Sequence, residues 1–338
     1  MKKKLVALML SAVMAVSVLA GCGSSNAGGT TDQAAATDTA ETAEAAEDGA
    51  GEARTIKIGY SQANAGDAFR SSWLKSFSAK TDAKGYTLVT TDASDDISKQ
   101  ISDVENLILQ GCDVICVNGL DTEAIIPALE AVKAAGIPCV MVDTDVADEN
   151  LFDCSISENA LTVGRIQGEY IKNWIEERNV DLKLGYIVGM YAMTTTYGRR
   201  DGVYEVLGID KATVENEGMW KANDAMSLAE DWLQAYPDLN VIACMNDDMA
   251  IGVIQAYNAA GVNMDDVLII GIDGLEAGAG YIKEGTLDAT VGRDLDKETS
   301  MYLDVCEKLV AGEPVEKKID PDSSFILDAS NVYEYYPD

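Results

Sequence analysis

The chain has 338 residues, enough for about two domains, and its 47% hydrophobic and 24% charged residues describe an ordinary folded protein rather than a disordered one. With 25 basic residues against 57 acidic ones, the formal net charge of −32 repels a nucleic-acid backbone. There is no histidine, which excludes Ser-His-Asp and Cys-His catalysis, HExxH zinc sites and any imidazole proton shuttle.

The N-terminus reads as an address. Lys2, Lys3 and Lys4 precede an apolar run from Leu5 to Ala20, followed by small residues, the plan of a secretory signal peptide over residues 1–21. The run is short of the roughly 20 residues that span a bilayer. The boundary Leu19-Ala20-Gly21-Cys22 resembles a bacterial lipobox, which implies cleavage before Cys22 and lipidation of its thiol. From Gly23 to Arg54 no aromatic residue and no apolar side chain larger than alanine occurs, so residues 22–54 are expected to form a flexible tether. The mature protein is expected to hang by its lipid from the outer face of the cell membrane, with folding starting near Thr55.

The folded part alternates short apolar runs with stretches of helical length. Strands are expected at Ile56–Tyr60, Thr87–Thr90, Val114–Val117, Cys139–Val142, Leu184–Val188, Val241–Met245 and Val267–Ile272. Helices are expected from near Asp95 to Gly111 and from Thr122 to Ala135, the latter followed by Gly136 and Pro138. This is the pattern of a doubly wound, parallel α/β protein whose sheets are covered on both faces. Cys112, Cys116, Cys139, Cys154, Cys244 and Cys306 remain after Cys22 is assigned to lipid. Several sit within the apolar runs, where cysteine acts as a small hydrophobe, so buried free thiols are expected. A disulfide such as Cys112 to Cys116 stays open in an oxidising compartment, and no metal site is expected.

The segment from Leu109 to Asp143 parallels that from Leu233 to Asp273, which suggests two lobes on one plan. Open α/β sheets bind ligands outside the carboxyl ends of their strands. Asn118, Asp143, Asn246 and Asp273 all stand at such ends.

Several motifs then carry a family resemblance. Ile58-Gly-Tyr-Ser-Gln62 with Gly66-Asp-Ala-Phe-Arg70, the strand ending at Asp143, Asn246-Asp-Asp-Met-Ala250, Ile270-Gly-Ile-Asp-Gly274 and the run from Gly285 to Val291 resemble the periplasmic sugar-binding proteins of the ribose and galactose/glucose type. The resemblance runs from about Thr55 to the C-terminus. It implies two similar doubly wound parallel-sheet lobes, a type 1 periplasmic-binding-protein fold, joined by a three-strand hinge near Ser157, Arg293 and Asp322. The N-terminal lobe is expected at residues 55–157 and 294–322, the C-terminal lobe at 158–293 and 323–338. It further implies a monomeric receptor without cofactor or enzymatic activity. Such a receptor clamps a monosaccharide or polyol between its lobes and delivers it to the permease of an ABC importer.

The resemblance places Phe69 and Trp220 where rings sandwich a sugar, and Asp67, Asp143, Arg199, Asn246, Asp273 and Arg293 where polar contacts fall. Aromatic faces suit sugar C–H faces, and carboxylates and guanidiniums read hydroxyls. The residues alone also allow blander roles: Phe69 as core with Trp73 and Phe77, Trp220 as packing, and Asp143, Asp273 and Asn246 as helix caps. Asp248 is read as structural, and Arg200 as the solvent-facing neighbour of Arg199. Arg70 stands where ribose receptors carry a second aromatic, Arg293 where both types carry an amide, and Thr144 where the ribose type has arginine. These departures count against ribose. A neutral hexose or polyol is favoured, with a sugar acid as the alternative. The calcium loop of the galactose type has no counterpart. A sensor for a membrane signalling receptor is an alternative function. So is a lipid-anchored glycosidase using Asp143 and Asp273, although flanking arginines would keep those carboxylates ionised.

Overall fold

The computed structural model describes residues 55–338. The expected signal peptide, the lipidation of Cys22 and the tether lie outside the described residues.

In chain order the elements are β1 (Lys57–Gln62), α1 (Ala68–Ala83), β2 (Thr87–Asp92), α2 (Ile97–Leu109), β3 (Val114–Val117), α3 (Ile126–Ala134), β4 (Cys139–Val142) and β5 (Cys154–Ile156). There follow α4 (Ala160–Arg178), β6 (Leu184–Val188), α5 (Thr194–Leu207), β7 (Val214–Glu217), α6 (Ala222–Ala235), β8 (Val241–Cys244), α7 (Asp247–Ala260), β9 (Leu268–Asp273), α8 (Glu276–Lys283) and β10 (Ala289–Arg293). The chain closes with α9 (Leu295–Val310), β11 (Lys318–Ile319), β12 (Ser324–Asp328) and α10 (Val332–Tyr335).

Two six-stranded sheets result, ordered β11-β5-β4-β3-β1-β2 and β12-β10-β9-β8-β6-β7. Every pairing is parallel except that of β10 with β12. The expected doubly wound fold of two lobes is therefore present. The chain passes from one sheet to the other after β5, after β10 and between β11 and β12.

Burial explains the strands. Val114–Val117, Cys139–Val142 and Leu184–Val188 are wholly buried and occupy the expected residues, because helices cover both faces. Helix α2 starts after Asp96, whose carboxylate accepts from the Ser98 and Lys99 amides. In the first lobe Trp73 packs against Tyr60, Phe77 and Tyr302 at centroid distances of 5.0, 4.9 and 5.0 Å. Tyr302 belongs to α9, so this late helix completes the core of the first lobe.

The six cysteines among the described residues are free and buried. The pair in contact is Cys116 with Cys306, sulfur to sulfur 3.6 Å, rather than Cys112 with Cys116.

Candidate functional site

The carboxyl ends of both sheets face one cavity of about 610 Å³, within the usual range of roughly 300–1,000 Å³ for small-ligand sites. Asp67, Phe69, Arg70, Asp143, Arg199, Trp220, Asn246, Asp273 and Arg293 all line it. They come from both lobes, and each is placed by a local device.

Asp143 follows β4 with a left-handed backbone, φ 54°. It caps no helix. Its Oδ2 accepts from Arg70 Nη1 at 2.8 Å and its Oδ1 from Arg293 Nη2 at 2.8 Å. Burial alone would raise its pKa, but the Arg293 and Arg70 guanidiniums outweigh that and hold it down at about 2. Arg293 is engaged on its other side as well. It forks onto Glu298 through Nε at 2.9 Å and Nη2 at 2.8 Å, and its Nε lies 3.3 Å from Glu158. The same guanidinium lies 4.3 Å from the centroid of the Phe69 ring, with that of Arg70 at 5.4 Å. Phe69 is only 5% exposed and packs into the first-lobe core with Trp73 and Phe77. Trp220 is thus the more open aromatic wall.

On the second lobe Arg199 sits on the buried face of α5 and gives Nη1 to the Met245 carbonyl at 2.7 Å. Its Nε is buried without a hydrogen-bond partner. Arg200 turns away to Asp201 at 2.8 Å and Glu215 at 3.8 Å, which settles which of the adjacent arginines points inward. This geometry needs α4 and α5 in backbone contact: a Cβ on Gly164 would stand 2.0 Å from the Arg199 carbonyl oxygen, so only glycine fits there.

Asp273 ends β9 at φ 125°, is 5% exposed and makes no side-chain hydrogen bond, so it too is no cap. Burial, with Asp247 nearby, pushes its carboxyl well above the ordinary range despite Arg199. Asn246 does cap α7, accepting from the Met249 amide at 2.9 Å, and gives Nδ2 to the Trp220 carbonyl at 3.2 Å. That bond steadies Trp220, which adopts φ 61° after Met219 at φ 53°. The Trp220 indole lies over Gly189, and its Nε1 is buried without a partner. Asp67 caps α1 through Oδ1, 2.8 Å from the Arg70 amide, and keeps Oδ2 free of hydrogen bonds.

Sequence reasoning missed part of the lining. Asp95, Glu158, Lys221, Leu120, Met190 and Met193 all border the cavity, as does Asp248, read from sequence as structural. Lys221 Nζ crosses the cleft to Asp95 Oδ2 at 2.9 Å, and Thr195 Oγ1 reaches the Asp143 carbonyl at 3.5 Å. The cavity is therefore bridged at its rim as well as at the hinge. Among the described residues no group of three or more acidic or thiol side chains is arranged to hold a metal ion, and no helix is long and apolar enough to cross a membrane.

Over residues 58–314 the sequence matches the family described as the periplasmic binding protein domain. The chain belongs to the periplasmic binding protein family. The ribose import binding protein of Bacillus subtilis (strain 168) is 27% identical to this periplasmic binding protein over 270 residues, 80% of this chain and 86% of that protein. A putative rhizopine-binding protein of Rhizobium meliloti is 30% identical over 243 residues, 70% of this chain and 78% of that one. Among solved structures, an ABC-transporter solute-binding protein of Mycobacterium smegmatis with bound glycerol is similar at a TM-score of 0.75 and 29% identity. That match covers 83% of this chain and 96% of the other. The family is one of extracytoplasmic substrate-binding proteins.

Proposed function

We propose that this periplasmic binding protein captures a neutral monosaccharide or polyol between its lobes, leaves it chemically unchanged and hands it to the permease of an ABC importer. Lipid on Cys22 would hold it, as a monomer, at the outer face of the cell membrane. The observation that carries the reading is a set of unpaired polar groups around one cavity. Arg199 Nε and Trp220 Nε1 are buried donors without partners, and the Asp273 carboxyl group, nearly buried, makes no hydrogen bond. Such groups cost stability until a ligand pairs them, and adjacent hydroxyls on a ring supply acceptors and donors together. The indole of Trp220 offers its face to the apolar side of the same ring.

Charge favours a neutral ligand over a sugar acid. Arg70 and Arg293 are committed to Asp143 and Glu298. Arg199 alone then faces Asp67 and Asp248, together with Asp273, whose carboxyl burial pushes towards its neutral form, all on the same cavity. In this reading Arg199, Asp273, Asp67 and Asn246 order the hydroxyls, Arg70 and Asp143 reach them from the first lobe, and Phe69 closes the floor. The ligand stabilises the closed clamp by touching both lobes at once.

The names of the relatives, for ribose and rhizopine, agree with a small polyhydroxylated ligand. The test is a thermal-shift and calorimetric screen over pentoses, hexoses, cyclic polyols and uronic acids. At least one neutral compound is expected to bind with a Kd on the order of 1 μM, about −8 kcal/mol, and to be recovered intact. Silence from all of them, with a response to amino acids or peptides instead, would overturn the assignment.

A further inference from the structure

One buried cluster touches all three crossings between the lobes. Glu158 follows β5 on the first, Arg293 ends β10 at the second, and Ser323 and Ser324 stand at the third. Glu298, on α9, completes it. The side chains of Arg293, Glu158 and Glu298 are 3%, 5% and 0% exposed. Arg293 forks onto Glu298, and its far side holds Asp143, which Arg70 also pairs. Three carboxylates, Asp143, Glu158 and Glu298, thus meet two guanidiniums, Arg70 and Arg293. One negative charge is left over in a place with little access to water, where an unpaired charge is costly.

Counting hydrogens leads to the same place. Ser323 Oγ lies 2.5 Å from Glu158 Oε1 and 2.6 Å from Glu298 Oε1. A hydroxyl carries one hydrogen and can donate to only one of them. With both glutamates ionised, the second contact would press lone pairs together. The Ser323 amide, 3.2 Å from Glu158 Oε1, and the Ser324 hydroxyl, 2.5 Å from Glu158 Oε2, both give hydrogens to Glu158 and none to Ser323 Oγ. The missing hydrogen has to sit on a carboxyl.

We propose that Glu158 and Glu298 share one proton through the Ser323 hydroxyl, and that this proton ties the three crossings together and so positions Arg293 and, through it, Asp143. The glutamates and Ser323 are positioning residues: Glu298 and Ser323 stand behind the cavity wall, and Glu158 reaches its edge. The surroundings of Glu298 are Arg293 from β10, Asp143 after β4 with Arg70 of α1 behind it, Glu158 and Ser323 from the crossings, and Tyr302 of α9, whose hydroxyl donates to the Ile156 carbonyl. Burial moves Glu298 up to about 7, against the pull of Arg293, so the proton is lost near neutrality rather than in acid. The hinge then loosens as pH rises.

The experiment needs no ligand, so its outcome is separate from that of the sugar reading. Unfolding free energy is measured by denaturant between pH 4.5 and 8.5 for the wild type, Glu158→Gln, Glu298→Gln and Ser323→Ala, with infrared spectra of the carboxyl region. A glutamine amide can donate to Ser323 Oγ in place of the shared proton. At least one glutamine variant is therefore expected to match or exceed wild-type stability at pH 8.5, and its slope between about pH 4.5 and 7 to be flatter by about one proton. A protonated-carboxyl band seen in the wild type at pH 6 is expected to shift in Ser323→Ala, which removes a single hydroxyl and tests the idea even if the glutamine variants do not fold. An unchanged slope in both glutamine variants, or a band that Ser323→Ala leaves in place, overturns the proposal.

Discussion

Lys221 lies next to Trp220 in the chain and spans the cleft to Asp95, Nζ to Oδ2 at 2.9 Å. Asn64 Nδ2 holds the same oxygen at 2.8 Å. The two loops correspond in the two lobes, one after β2 and the other after β7, and each carries a pair of non-glycine residues in the left-handed region. Ser94 and Asp95 have φ 53° and 63°, and Met219 and Trp220 have φ 53° and 61°. The strained position that presents an indole in one lobe presents a carboxylate in the other. Lys221→Ala is expected to speed ligand dissociation and weaken binding by about 0.2–1 kcal/mol, the usual worth of a solvent-touched ion pair. The effect should vanish at high salt and be repaired by exchanging the two charges, as stopped-flow measurements across ionic strength would reveal.

Trp220→Ala is expected to weaken binding of the ligand found in the screen by about 2–4 kcal/mol, the range of a stacking anchor, while thermal stability changes little because the ring is only partly buried. Calorimetry decides it. Wild-type affinity in this variant would remove Trp220 from the wall of the site.

Gly164→Ala is expected to destabilise the second lobe by about 1–3 kcal/mol. The new methyl meets the Arg199 carbonyl, and it cannot be relieved without sliding α5 off α4. Because Arg199 rides on α5, ligand affinity should fall with stability. Gly202→Ala, whose methyl would stand 2.3 Å from the Leu161 carbonyl oxygen, is expected to behave alike. Melting temperature and Kd measured together test both.

Stability is expected to peak on the acid side of neutrality. Asp143 is held at about 2, below its ordinary 3.8, so its contribution is present above pH 4 and lost as pH falls toward 2. Asp247 has the opposite sign. Burial lifts it from 3.8 to about 7, against its hydrogen bonds from Thr290 and the Leu275 amide. The folded state therefore keeps a proton that the unfolded chain releases, and stability declines as pH climbs from about 4 to about 7. Denaturant unfolding over that span should show the decline, and Asp247→Asn should flatten it.

How much of this was legible in the sequence follows from burial. β3, β4 and β6 lie on their expected residues because each is a short apolar run inside a covered sheet. β7, with sequence Val-Glu-Asn-Glu, and the two-residue β11 are sheet edges; an edge faces water and needs no apolar run, so neither left a signal. The cavity was readable because strand-end polar residues converge by topology. The fate of Arg293 was not. Its position in the chain says that it reaches the cleft, yet its partners Glu158 and Asp143 are 135 and 150 residues away, and only the crossings bring them beside it.

Every cysteine from residue 55 onward is buried and unpaired. With Cys22 absent or blocked, one surface cysteine introduced near Lys221 would therefore be the sole site open to a thiol-reactive fluorophore. A dye there would sit at the mouth of the clamp and turn each shutting event into an optical signal, without background from native sulfur.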